Sequence, residues 1–125
     1  MDCLEMVSLY VGANEAFSTL SAAVAASAPN DTIYLRPGRY TNDPVVIDHS
    51  LSIIGLGAGA ILEWTGGNIP NRKGLIVARE SVDALTIDNL IVRGASVADN
   101  NGAGIRFQGG DLTVRNSAFK GNENG

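Results

Sequence analysis

Short apolar runs separated by turns rich in glycine, asparagine and aspartate make up most of the chain after Pro29. Near the N-terminus, Val7, Leu9 and Val11 alternate with less apolar residues, which is the period of a half-buried strand. The later runs are too short for stable helices, and most are rich in β-branched residues, which favour strands. They read TIYL, VVI, LSII, AILEW, GLIV, LTIDNLIV, GIRF and LTVRNSAF. The pattern predicts brief, closely spaced strands.

One segment near the N-terminus has helical rather than strand periodicity. Phe17, Leu20 and Val24 lie at positions i, i+3 and i+7, so they share one helix face. Asn14 is a suitable N-cap, and the next proline stops the helix because the residue before a proline is disfavoured in the helical region. We therefore expect a helix over about residues 14–28, with its apolar stripe covering one end of the strand array.

An internal repeat predicts how the strands are arranged. Residues 85–94 read LTIDNLIVRG, and residues 112–121 read LTVRNSAFKG. An earlier copy at residues 51–56, LSIIGL, aligns with the first six positions of both. A repeat of 20 to 50 residues is typical of solenoids, propellers and other arrays. Each unit here is strand, tight bend, strand, with no helix inside the repeat.

The repeat also assigns bends and faces. Its fifth position is Gly55, Asn89 or Asn116, and glycine and asparagine tolerate the left-handed backbone that a sharp bend requires. A second ladder aligns residues 74–77 with residues 104–107. Alternation then predicts these inward side chains: Leu75, Val77, Leu85, Ile87, Leu90, Val92, Ile105, Phe107, Leu112, Val114 and Phe119. The predicted outward side chains are Ile76, Thr86, Arg93, Arg106, Gln108, Thr113 and Lys120.

Composition narrows the class of protein. With 45% hydrophobic and 18% charged residues, the 125-residue chain is unlike a disordered polymer, and its single cysteine excludes a disulfide scaffold. A net charge of −4 argues against nucleic acid or an anionic membrane as partner. We expect a leader over residues 1–6, without a secretion signal, and one domain over residues 7–125. Cys3 in the leader is expected to be a free thiol, or else to pair with a second chain.

The titratable residues form no recognisable catalytic or metal-binding set. The carboxylates are scattered, and in the repeat Asp88 aligns with Arg115. His49 is the only histidine, so no two-histidine metal site exists. It lies between Asp48 and Ser50, but adjacent strand residues point to opposite faces, so these neighbours are not expected to form a triad. We therefore expect a turn histidine, no catalytic residue, no metal and no cofactor.

Four segments carry a resemblance to a known superfamily: FSTLSAAVAASAP, DTIYLRPGRY, LSIIGLG, and GAGIRF followed by LTVRNSAFKGNENG. They resemble the right-handed parallel β-helix proteins of the pectate-lyase-like superfamily. The resemblance implies an all-β fold, a right-handed parallel β-helix of three-strand coils over about residues 31–125, with one N-terminal capping helix. That scaffold carries lyases, hydrolases, esterases and noncatalytic proteins, so it implies little about function.

In the enzymes that the chain resembles, the substrate groove runs along one sheet and its loops. By that resemblance, the candidate carbohydrate-binding residues are Arg79, Arg106, Gln108, Arg72 and Lys73, of which the last two lie in the loop at residues 68–73. A parent protein of this kind is expected to be extracellular or at the cell surface, although the sequence leaves the compartment open.

The final repeat copy carries no helix, proline or charged strand that would cover it. We therefore expect a noncatalytic N-terminal cap and first coils of a longer β-helix protein that binds or processes polysaccharide. The uncovered coil, with Leu112, Val114 and Phe119, is expected to pair with another chain. One alternative is a structural module whose role is self-association, and another is a small polysaccharide-active enzyme.

Overall fold

The computed structural model describes residues 8–97 and 102–122, which form twelve strands and one helix. Cys3, Val7 and the predicted leader lie outside the described residues. In chain order the elements are β1 (Ser8–Val11), α1 (Leu20–Ala26), β2 (Asp31–Leu35), β3 (Gly38–Thr41), β4 (Val45–Ile47), β5 (Leu51–Gly55), β6 (Ala60–Glu63), β7 (Gly74–Ala78), β8 (Ala84–Asp88), β9 (Leu90–Arg93), β10 (Ala103–Phe107), β11 (Asp111–Arg115) and β12 (Ala118–Lys120).

The strands form three sheets in which every described pair is parallel. The orders are β1-β2-β5-β8-β11, β12-β9-β6-β3 and β10-β7-β4. From β2 onward the chain passes through the five-stranded, four-stranded and three-stranded sheets in that order and then repeats the cycle. Each of these strands therefore pairs with the strand three elements away. The predominantly β, all-parallel architecture with one helix in the described part agrees with the sequence-based expectation.

All three sheets and the helix contribute to one hydrophobic cluster. In the five-stranded sheet, Ile33, Ile53 and Ile87 lie in register on successive strands and are fully buried. Strands β2 and β5 both alternate buried and half-buried residues, as expected when one face lies against the core. Like residues thus stack on like residues, and each fully buried isoleucine contributes about 1.5–3 kcal/mol of burial free energy.

The predicted repeat coincides with the observed strand register. Leu112 pairs with Leu85, and Leu85 pairs with Leu51, so the three copies stack in one sheet. The bends at Asn89 and Asn116 have φ of 60° and 51°, in the left-handed region that the repeat predicts.

The prediction for Gly55 was wrong. Its φ is not positive, and the bend after β5 uses the left-handed Gly57 instead. Glycine is required at position 55 for a different reason, since an added Cβ would clash with the backbone carbonyl oxygen of Asn89.

The predicted alignment of residues 74–77 with residues 104–107 was wrong by one position. Ile105 pairs with Ile76, and Arg106 pairs with Val77. Ile76 therefore faces the core, whereas Val77 pairs with the exposed Val46 and lies on the opposite face of β7 even though it is buried. Leu75 is buried and belongs to the core cluster. The reason is that all five residues of β7 are buried, so hydrophobicity does not alternate along it and cannot fix the register.

The helix is also shorter than the predicted residues 14–28. It begins after Thr19, whose hydroxyl oxygen accepts a hydrogen bond from the Ala22 N–H at 3.2 Å. Residues before it are held by β1 instead, because Phe17 forms a parallel bridge with Val11. Leu20 and Val24 are buried as expected, and α1 packs against β1, β2 and β4. Phe17 reaches the core from outside the helix.

Candidate functional site

The outer face of the three-stranded sheet carries three of the predicted carbohydrate-binding residues. Arg106 is exposed on β10 and pairs with Val77 on β7. The ladder continues one residue beyond the strands, because the Gln108 N–H donates to the Ala78 carbonyl at 3.0 Å and the Arg79 N–H donates to the Ile47 carbonyl at 2.9 Å. Arg79 and Gln108 therefore occupy neighbouring positions at the carboxyl end of this sheet, beside Arg106.

The other two predicted residues lie at the opposite end of β7. The Lys73 N–H donates to Asn71 Oδ1 at 2.8 Å, and the Lys73 carbonyl accepts from Ala103. Arg79 lies six positions after Lys73, which is about 20 Å of extended chain. Arg72 precedes Lys73 and is also exposed. The five candidates therefore form two groups at opposite ends of one strand rather than one cluster.

Arginine and aspartate side chains lie side by side on this face. Arg79 and Arg106 are exposed, and within the described residues neither guanidinium forms an ion pair. Asp48 lies beside Arg79, one strand further along the ladder. A guanidinium donates in a planar fork whose geometry fits a carboxylate.

The three predicted interface residues lie on the last strands of their sheets. β10, β11 and β12 are the terminal strands of the three-, five- and four-stranded sheets. Leu112 and Val114 on β11 are each 40% exposed, although their register partners Leu85 and Ile87 are fully buried. Phe119 on β12 is half-buried and packs against the core cluster. Within residues 8–97 and 102–122, nothing covers the core-facing side chains of β11.

Ion pairs and a half-buried tyrosine lie on the four-stranded sheet. Glu63 accepts from Arg93 at 2.9 Å and lies 3.5 Å from Arg39. The Tyr40 hydroxyl donates to the Arg36 carbonyl at 2.7 Å. Burial raises the pKa of Tyr40, and the positive charge of Arg36 lowers it by a smaller amount. Asp88 lies opposite Arg115, as the repeat predicts.

From the sequence, neither Ser50 nor Asp48 was expected to bond to their neighbour His49. This expectation was right for Ser50 and wrong for Asp48. The Ser50 hydroxyl accepts from the Ala84 N–H at 3.1 Å and is not bonded to the imidazole. His49 Nδ1 lies 2.8 Å from Asp48 Oδ1, and His49 Nε2 lies 2.8 Å from Ser27 Oγ. Ser27 is 22 positions away in the sequence, and no spacing signal marks it as a partner of His49.

Among the described residues, no group of three histidine, cysteine, aspartate or glutamate side chains is placed to hold a metal ion. The helix that the structure describes is too short to cross a membrane.

The chain matches no family model, and comparisons with curated proteins and with solved structures give no match. The function is therefore inferred from the geometry alone.

Proposed function

We propose that the three sheets are the walls of a right-handed parallel β-helix of three-strand coils, related to the pectate-lyase-like superfamily. Three observations support this: the fixed cycle through the sheets, the in-register stacking of like residues, and the shared core. A connection between parallel strands of one sheet is right-handed in nearly all proteins, which supports the hand.

In this proposal α1 caps the first coil. The end of a solenoid exposes core side chains and unpaired strand edges, so it needs a cover. Leu20, Ala23 and Val24 form the buried face of α1, and the helix packs on β1, β2 and β4. Ser21 supports its placement, because its N–H and hydroxyl both bond to the Asp43 carboxylate.

We infer that the chain serves as the N-terminal cap and first coils of a protein that binds or processes polysaccharide, and that it is noncatalytic toward that polysaccharide. The observation that carries the proposal is the exposure of Leu112 and Val114 beside their buried partners Leu85 and Ile87. A further coil stacked on β11 would bury them, just as β11 covers Leu85 and Ile87 on the neighbouring strand β8.

A chain extended by one coil tests this proposal. A copy of residues 96–121 is appended after Asn122, which keeps the repeat in register. We expect a higher free energy of unfolding in urea, because Leu112 and Val114 become buried. The matched control carries the same extension with serine in place of its copies of these two residues. Equal stability of the extended chain, its control and the original chain would overturn the proposal.

Self-association is the second candidate function, because the same exposed residues and free strand edges could be covered by another copy. Sedimentation over a wide concentration range should reveal oligomers. Val114→Lys should dissociate them, whereas Thr113→Lys, on the same strand but the opposite face, should not. A monomer at every concentration would exclude this function.

The proposed polysaccharide contact is the face with Arg79, Arg106 and Gln108, and Arg72 and Lys73 form a second, separate contact at the other end of β7. Affinity electrophoresis in gels containing polygalacturonate should show retardation that Arg79→Ala and Arg106→Ala reduce. Lys120→Ala, on the four-stranded sheet, is the control and should migrate like the original chain. Retardation that is independent of both arginines would rule out this face. Release of unsaturated or reducing sugar ends would instead support the small-enzyme alternative.

A further inference from the structure

The single histidine is held between a hydroxyl and a carboxylate. His49 Nε2 lies 2.8 Å from Ser27 Oγ, and His49 Nδ1 lies 2.8 Å from Asp48 Oδ1. Ser27 is the C-cap of α1, and Asp48 and His49 follow β4, so packing of the helix on β4 brings the three side chains together. The His49 side chain is 20% exposed and that of Asp48 is 71% exposed. The hydroxyl–imidazole–carboxylate chain therefore lies at the surface, with the ring mostly covered.

The partners of the ring determine its tautomer. An ionised carboxylate accepts hydrogen bonds and donates none, so Nδ1 of His49 carries the proton that is donated to Asp48. In the neutral imidazole Nε2 is then an unprotonated acceptor that faces the Ser27 hydroxyl. When Nε2 is protonated it donates to Ser27 Oγ, and the Ser27 hydroxyl donates to the Val24 carbonyl at 2.7 Å. Ser27 Oγ thus has a hydrogen-bond partner in both states.

We propose that Ser27 is a nucleophile, with His49 as its general base and Asp48 as a positioning residue, and that it is acylated by small activated esters. Ser27 Oγ attacks the ester carbonyl carbon, and its proton passes to His49 Nε2. The carbon–oxygen bond to the leaving group breaks, and Nε2 returns the proton to the departing phenol oxygen. Water then attacks the acyl carbon as His49 Nε2 takes its proton. The bond from the acyl carbon to Ser27 Oγ breaks, and Nε2 returns the proton to Oγ. A positioned general base accelerates such a step by about 10²–10⁴-fold.

The position of Ser27 restricts the class of substrate. It lies at the C-terminal end of α1, where the partial charge of the helix is negative and a developing oxyanion is not stabilised. The reaction therefore needs a leaving group that is already a stable anion, as in aryl esters, or the strongly electrophilic phosphorus of a fluorophosphonate. This inference does not depend on the β-helix or polysaccharide proposals.

Labelling of the full chain with a fluorophosphonate probe tests the proposal. We expect one covalent adduct per chain by intact-mass spectrometry, located on Ser27 by peptide mapping. His49→Gln keeps Ser27 and its bond to Val24, and should slow labelling by at least tenfold. Ser21→Ala is the matched control: its hydroxyl lies on the same helix and bonds to the Asp43 carboxylate, without an imidazole. It should leave the labelling rate unchanged.

A second measurement separates a positioning role of Asp48 from a purely structural one. The labelling rates of Asp48→Asn and Asp48→Glu are compared with that of the original chain. Asp48→Asn can donate to Nδ1 and thereby move the ring proton to Nε2, so it should lower the labelling rate, whereas Asp48→Glu keeps a carboxylate acceptor and should restore it. Far-UV circular dichroism verifies that each variant is folded. Labelling spread over several serines, labelling unaffected by His49→Gln, or no labelling of the folded chain would each overturn the proposal.

Discussion

Ile87 and Val114 occupy the same register position on adjacent strands, β8 and β11, but their environments differ. Ile87 is fully buried and has a strand on each side, whereas Val114 is 40% exposed and lies on a terminal strand of its sheet. Both side chains are β-branched and apolar, so their chemistry does not explain the difference. In a stacked array, burial depends on how many neighbouring layers cover a residue, and local sequence repeats cannot encode that number.

The two asparagine bends show the same contrast. Asn89 donates from Nδ2 to the carbonyls of Gly55 at 2.9 Å and Gly57 at 3.2 Å, which lie in the preceding layer. Asn116 donates from Nδ2 to the Asp88 carboxylate at 3.1 Å and is exposed. Both adopt a left-handed backbone. The inner bend is therefore supported by two backbone acceptors, the buried Gly55 and the exposed Gly57, and the outer bend by one exposed side chain.

The largest expected difference is between alanine variants of the two matched core positions. Ile87→Ala should lower the free energy of unfolding by about 2–5 kcal/mol, because it leaves a cavity between two covered strands. Val114→Ala should cost less than about 1 kcal/mol, because its site is already open to solvent. Urea denaturation followed by circular dichroism measures both. Equal losses would mean that β11 is covered in solution.

A smaller difference is expected at the bends. Asn89→Ala loses two hydrogen bonds and places alanine in the left-handed region, which should cost about 2–3 kcal/mol. Asn116→Ala should cost about 1–2 kcal/mol, most of it from the backbone. Glycine variants remove the backbone term, so Asn116→Gly should be near neutral while Asn89→Gly still loses about 1–2 kcal/mol. The same denaturation experiment would contradict this account if the two glycine variants behaved alike.

Removing the side-chain hydroxyl of Thr19, the N-cap residue of α1, should lower the free energy of unfolding by about 1 kcal/mol. Thr19→Ala leaves the Ala22 N–H without its side-chain acceptor. Thr113→Ala, on the outer face of β11, should change stability by less than about 0.5 kcal/mol. Thermal unfolding of both variants measures the difference. A larger loss for Thr113→Ala than for Thr19→Ala would contradict the view that the end of the strand array at α1 is covered and the end at β11 is open.

The smallest expected effect is the contribution of Tyr40 to the pH dependence of stability. Because burial raises the pKa of Tyr40, the protonated phenol is favoured in the folded state. Its stabilisation is complete below the ordinary value of 10.0 and is lost as the pH rises through the higher folded value. Denaturation midpoints between about pH 9 and pH 11 should fall less for Tyr40→Phe than for the original chain. An identical fall would show that Tyr40 does not contribute.

The sequence predicted the strands in which apolar and polar residues alternate clearly. It could not predict the arrangement of segments without that alternation. Leu85 and Leu112 begin repeat copies with the same pattern, so their pairing could be deduced. β7 is apolar throughout, and a one-residue error there reversed Ile76 and Val77. Residues before Thr19 have helical periodicity, but the bridge between Val11 and Phe17 holds them in another conformation. Tertiary contacts override weak local preferences in such segments.

The candidate sites show a similar division. Sequence reasoning identified Arg79, Arg106 and Gln108, and the sheet places these three at neighbouring positions, but Arg72 and Lys73 lie at the far end of β7. It did not expect Asp48 to bond to His49, and it did not identify Ser27. That contact exists because α1 packs on β4, and no spacing along the chain records it.

The sequence by itself determined the strand-rich composition, the repeat that pairs every third strand, and the left-handed bends at Asn89 and Asn116, because these depend on side-chain period and local backbone preference. Only the tertiary structure decided the register of β7, the start of α1, the partners of His49 and the exposure of Val114. Those features depend on which surfaces meet, and packing between residues distant in sequence sets them.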